Sequence, residues 1–150
     1  RNLDLICILQ PEPLLIRADS RRIWRVLENL YVNVCKYAMP GTRVYVDAIK
    51  KDGKIQLSIK NISENPLNFQ ADELTERFIR GDVSRSTEGS GLGLSIAKNL
   101  TVLQHGSFNI YLDGDLFKVT ITFDEAVKEK KPMPPMIVPE AVQEEAQQDA

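Results

Sequence analysis

The sequence predicts an α+β domain, a two-layer sandwich in which helices pack on one face of a mixed sheet. Three observations carry this expectation. Two pairs of segments alternate apolar and polar residues around Asp-Gly turns, two stretches repeat their apolar residues at helical spacing, and 150 residues leave room for one core rather than two.

The elements follow in order. Pro13 to Ala18, with LLIRA inside it, reads as a short opening strand. Asp19 is placed to cap a helix, because its carboxylate can accept from the free N–H groups of the first turn. Apolar Ile23, Val26, Leu27, Leu30 and Val34 then recur at helical spacing as far as about Ala38, and Pro40-Gly41 stops the helix. RVYVDAIK and KIQLSIKN alternate with period two about Asp52-Gly53, which predicts a hairpin. The polar stretch from Ser63 to Ser90 holds one short helical segment near Ala71 to Phe78. Leu92 to Leu103 is helical, and SFNIYL with LFKVTITF forms a second hairpin about Asp113-Gly114-Asp115. The composition changes near residue 125. Ala126 to Ala150 has no aromatic residue and half of the prolines, so it is expected to be a disordered Pro/Glu/Gln-rich tail after a folded unit of residues 1–125. Within it, MPPMIV could instead dock on a partner.

Composition excludes several classes. A net charge of −2 lacks the basic excess of a nucleic-acid binder. No apolar run reaches the roughly 18 residues of a membrane span, and RNLDLICIL lacks the pattern of a signal peptide. Two cysteines, Cys7 and Cys35, are too few for a disulfide scaffold, so a cytoplasmic setting is expected. With His105 as the single histidine, a multi-His metal site cannot form.

Three features could carry chemistry. On the first helix, Asn29, Asn33 and Lys36 fall within about 60° of one another, beside Tyr37. Such a stripe is either a solvated helix face or a pair of amide oxygens for a divalent cation with an ammonium for an anion; Mg²⁺ that keeps several waters needs only one or two protein oxygens. Glu88 to Lys98 reads EGSGLGLSIAK, with Gly89, Gly91 and Gly93 leading into a helix. A helix N-terminus preceded by glycines suits phosphate, through free N–H groups and the positive dipole end. The spacing is neither that of a Walker loop nor that of a Rossmann fingerprint, and a plain flexible loop is the alternative. The third feature is the long loop, with Arg77, Arg80 and Arg85 among Glu76, Asp82 and Glu88: either a mobile surface segment or a lid whose guanidinium groups fit phosphate oxygens. All three converge on a Mg²⁺-nucleotide.

In this order the motifs resemble the catalytic and ATP-binding domain of bacterial sensor histidine kinases, on the Bergerat ATP-binding fold shared with gyrase and related ATPases. RVLENLYVNVCKYA is similar to the family's asparagine box, ELTERFIRGDVSRS to its phenylalanine box and lid, and EGSGLGLSIAKNL to its second glycine box. The resemblance covers nearly all of residues 1–125. It implies ATP and Mg²⁺ as ligands, with Asn33 on the metal, Asn29 assisting one turn earlier, Lys36 on the phosphates and Tyr37 against the adenine. It further implies Arg80 near the γ-phosphate, and Gly89, Ser90, Gly91, Leu92, Gly93 and Leu94 wrapping the triphosphate.

The first glycine box, Asp-x-Gly-x-Gly in the family, departs. Asn61 stands at the Asp position, Ser63 at the first Gly and Asn65 at the second. A neutral amide can still accept from the adenine amine. Asn65 is expected to keep the turn through its tolerance of positive φ, and weakened or altered adenine recognition is the expected consequence. His105 lies one place late for the family's His-Gly-Gly and is expected to be a surface residue.

The implied activity is transfer of the γ-phosphoryl group of Mg-ATP to a histidine on a dimerisation helix pair absent from these residues, and onward to a response regulator. The isolated domain is then expected to be monomeric, and the full-length protein a dimer anchored in the cell membrane through other segments. Two rivals stand beside it: a nucleotide-binding pseudokinase or sensor, and a hydrolytic ATPase of the same fold. The second is disfavoured because Asn29, which cannot act as a base, occupies the position of the gyrase-type glutamate, and Glu28 is turned about 100° away.

Overall fold

A computed structural model describes residues 1–67 and 92–127. The elements are β1 (Asp4–Leu9), α1 (Ser20–Tyr37), β2 (Arg43–Lys51), β3 (Lys54–Ile62), α2 (Gly93–Leu103), β4 (Ser107–Asp113) and β5 (Leu116–Asp124). The expected helix near Ala71 to Phe78, Arg80, and Gly89 to Gly91 lie outside the described residues, as does nearly all of the expected tail.

The strands order as β1-β2-β3-β5-β4, with β1 parallel to β2 and every other pair antiparallel. The sheet is therefore mixed, and both Asp-Gly hairpins form, with Asp52 at φ 52° and Gly53 at φ 73° in the first turn. Directly paired residues share a face, so the register places Val46, Ile59 and Val119 together and sets Asn61 beside Phe117. This inner face packs against Val26, Leu30, Val34 and Ala38 of α1 and Leu94 and Ala97 of α2. The outer face is polar: Ser58 and Thr120 hydroxyls lie 3.0 Å apart, and Lys60 stands over the Tyr45 ring and 3.8 Å from Asp47. One apolar face and one polar face make two layers.

α1 begins where its cap predicts. Asp19 Oδ1 accepts from the backbone N–H groups of Arg21 and Arg22 at 2.9 and 3.1 Å. At the C-terminus of α2, the N–H of Gly106 donates to Thr101 and that of His105 to Val102, the two bonds of a Schellman closure. His105 occupies its left-handed position at φ 66° and is exposed, as expected of a surface histidine. Gly106 is dictated by packing, since a Cβ there would lie 2.6 Å from the Phe123 ring.

The first strand differs from expectation. Pro13 to Ala18 contributes a single bridge, Ile16 to Glu125, whereas the strand itself is Asp4–Leu9. Pro11 and Pro13 lack the N–H a ladder needs, and DLICIL shows no alternation because its residues are largely exposed on an edge strand. Its partner β2 lies beyond the whole of α1, a pairing that local periodicity does not reveal. The folded unit also runs slightly past residue 125, because the Ala126 N–H donates to the Leu15 carbonyl at 2.8 Å.

Candidate functional site

α1 and α2 lie side by side and antiparallel. At one end the Asp19 N–H donates to Gln104 Oε1 at 2.8 Å; at the other, Gly93 sits against Asn29. A Cβ added at Gly93 would lie 3.4 Å from Asn29 Oδ1, so the start of α2 packs directly beside the amide stripe of α1. Asn29 Nδ2 donates to the Arg25 carbonyl at 2.8 Å, which leaves its oxygen on the side of α2. Leu92 stands at the cap position of α2, and among the described residues no side chain caps that N-terminus. Ser95 Oγ donates back to the Leu92 carbonyl at 2.8 Å, holding the first turn closed. The N–H groups opening α2, at the positive end of its dipole, thus lie beside the Asn29 amide.

The second half of the site is the end of β3. The Met39 N–H donates to the Ile62 carbonyl and the Glu64 N–H to that of Tyr37, both at 2.8 Å, and Ser63 bridges to Ala38 while its N–H donates to Asp115 at 2.7 Å. These bonds tie the strand end to the C-terminus of α1 and to the β4–β5 turn. They bring Asn61 beside Asn33 in a small recess completed by Leu30, Val34, Ile59, Phe117 and Val119. Asn61 is 3% exposed; among the described residues its Oδ1 has no hydrogen-bond partner, and Nδ2 makes only a long bond of 3.3 Å to the Ile62 carbonyl. Leaving a buried acceptor unpaired costs about 1–3 kcal/mol, which a ligand that donates to it recovers.

Asn29, Asn33, Asn61, Ser63 and Gly93 therefore lie on one side of the fold, with Lys36 and Tyr37 in the last turn of α1. Leu92 and Leu94 flank Gly93, Leu94 turning into the core. Two expectations change. Asn65 does not take a left-handed conformation, as only Asn2, Asp52 and His105 do among the described non-glycine residues; Pro66 after it favours extended backbone there. Phe117 and Val119, which line the recess, were not singled out as site residues, although the register of the second hairpin against β3 contains the signal.

Residues 18–127 match the family described as histidine kinase-, DNA gyrase B-, and HSP90-like ATPase. The chain belongs to this family. It is similar to the sensor histidine kinase HprS of Escherichia coli strain K12, with 34% identity over 108 residues that span 71% of this chain and 24% of that protein. The structure resembles the catalytic domain of histidine kinase ThkA in a nucleotide-free form, at a TM-score of 0.69 and 23% identity, covering 83% of this chain and 80% of that one. It also resembles full-length ShkA in complex with AMPPNP, at a TM-score of 0.66 and 22% identity, over 83% of this chain and 26% of that one. These structural likenesses establish the fold. The chain is an ATP-binding catalytic domain of sensor-histidine-kinase type and spans a quarter or less of the curated relatives it matches. Among the described residues, no helix is long and apolar enough to cross a membrane.

The donor set suits a histidine-kinase-type Mg-ATP site. Among the described residues no group of three or more His, Cys, Asp or Glu gathers, and the amides of Asn29 and Asn33 stand beside the start of α2 and in the recess. One or two neutral oxygens match an ion that keeps its waters and is bound chiefly by phosphates.

Proposed function

We propose that this domain binds Mg-ATP between α1, the end of β3 and the start of α2, and donates its γ-phosphoryl group to a histidine on a separate dimerisation module. The observation that carries this reading is the approach of Gly93 to Asn29, which joins the asparagine box to the second glycine box across one cleft. Asn33, with Asn29 one turn before it, would hold Mg²⁺, which supplies charge neutralisation of the triphosphate. Lys36 would contact the phosphates, and the N–H groups opening α2, with Gly89 to Gly91 before them, would receive the phosphate chain. Tyr37 would lie against the adenine, Asn61 and Ser63 would border it, and Arg80 would reach the γ-phosphate from the lid. These residues position and neutralise, the contributions that dominate phosphoryl transfer.

A hydrolytic role fits less well. Asn29 stands where a water-activating carboxylate would be needed, and Glu28 is exposed. The phosphoacceptor module, a response regulator, a dimeric full-length protein and its membrane anchor belong to the same proposal, through relatives that are sensor kinases several times longer than this chain. Residues 1–125 with Ala126 would form the catalytic unit and the remainder a tail.

Thermal denaturation tests the proposal. Mg-ATP at 100 times its dissociation constant should add about 2.7 kcal/mol of stability, and Mg²⁺ or ATP alone distinctly less. The full-length protein should then incorporate acid-labile phosphate on histidine. No stabilisation by Mg-ATP would refute the nucleotide site; stabilisation without histidine phosphate would leave the pseudokinase reading.

A further inference from the structure

We infer that Asn61 reads the 6-position of the purine and, being an amide, admits 6-oxopurine triphosphates as well as ATP. This rests on the nucleotide reading above and goes beyond it in naming the range of bases accepted. Three observations carry it.

First, Asn61 is a buried polar residue lining the recess. It is 3% exposed, and its Oδ1 is, among the described residues, the one buried side-chain nitrogen or oxygen without a partner. Second, its neighbours in the recess are Leu30, Val34, Ile59, Phe117 and Val119, with Asn33 the other polar residue and, among the described residues, no charged side chain in the lining. Among these described residues, the edge of a base there would meet neutral groups. Third, the amide is held by one weak contact, the 3.3 Å bond from Nδ2 to the Ile62 carbonyl.

The chemistry of the side chain sets the outcome. A carboxylate offers acceptors only, so it pairs with the exocyclic amine of adenine and repels the O6 lone pairs of hypoxanthine or guanine. An amide carries an acceptor and two donors, and rotation about its last bond exchanges them. As placed, Oδ1 faces the recess unpaired and can receive the adenine amine. Turned over, the NH₂ group can donate to O6 at the cost of the bond to Ile62. A hydrogen bond of that kind contributes about 0.5–1.5 kcal/mol, so the preference for adenine should stay within about tenfold. Inosine triphosphate isolates this effect, because it changes the 6-position and N1 without adding a 2-amino group.

The test is calorimetric titration of the 150-residue chain with Mg-ATP and Mg-ITP. The wild-type dissociation constants should differ by no more than about tenfold. Asn61→Asp should widen the ratio at least a further tenfold, chiefly by loss of Mg-ITP. A wild-type ratio above tenfold, or an Asn61→Asp ratio no wider than wild type, overturns the inference. If Asn61→Asp does not fold, as its melting transition will show, the wild-type ratio decides alone. Binding of Mg-ATP with strong rejection of Mg-ITP overturns this inference and spares the nucleotide reading; binding of neither overturns both.

Discussion

The two flanks of α1 differ in a way that hydropathy alone does not anticipate. On one side of the buried row Val26, Leu30 and Val34 lie Asn29, Asn33 and Lys36, all half-buried. On the other lie Trp24, Tyr31 and Cys35, and Trp24 is 71% exposed. The polar flank is the enclosed one because α2 leans against it at Gly93 and the end of β3 closes beneath it. The apolar flank borders the edge strand, where Leu5 and Leu9 share the sheet face of Val44 and Ala48 yet remain exposed. Burial and the nearby Cys7 raise the pKa of the Tyr31 hydroxyl, which marks where that flank meets β1. Enclosing amides while leaving a tryptophan in water is costly for stability, and the nucleotide binding proposed for the amide side would account for it.

The sharpest break of this contrast comes from the row between the flanks. Leu30 is 3% exposed, so Leu30→Ala should destabilise the fold by about 2–5 kcal/mol in chemical denaturation, and it should disturb both flanks together. Asn33→Ala should separate them. Its melting temperature should stay within a few degrees of wild type, while Mg-ATP affinity falls roughly hundredfold, or about 2.8 kcal/mol, in titration calorimetry. Unchanged affinity would place the metal elsewhere.

Smaller effects sharpen the picture. Gly93→Ala meets Asn29 Oδ1 at 3.4 Å, a tight but tolerable contact, so stability should change by no more than about 1 kcal/mol while triphosphate binding weakens more than adenosine binding. His105→Gly should stabilise the domain by about 0.5–1 kcal/mol, because the left-handed backbone at φ 66° suits glycine, and nucleotide affinity should not move. Trp24→Ser, on the exposed flank, should alter stability by less than about 0.5 kcal/mol and leave Mg-ATP binding intact.

Much of the architecture was legible because its signals are local. The Asp19 cap, the helical repeat from Ile23 to Val34 and the Asp-Gly turns each lie within a few residues of what they specify. β1 was not legible, since its partner is a strand on the far side of α1 and its apolar residues do not alternate. The site divides in the same way. Asn29, Asn33 and Lys36 announce themselves as a stripe on one helix. The recess around Asn61 depends on register between β3 and β5, so Phe117 becomes a site residue only once the two strands are aligned. Asn65 does not take the positive φ expected of it, because Pro66 directly after it favours extended backbone at that position.

The most direct test is to titrate the isotopically labelled chain with Mg-AMPPNP and follow backbone and side-chain amide resonances. Perturbations should concentrate at Asn29, Asn33, Asn61 and Gly93 and spare Leu5, Leu9 and Trp24. The largest shifts falling on β1 and Trp24, with Asn33 and Gly93 unmoved, would contradict the assignment of the polar flank as the nucleotide site.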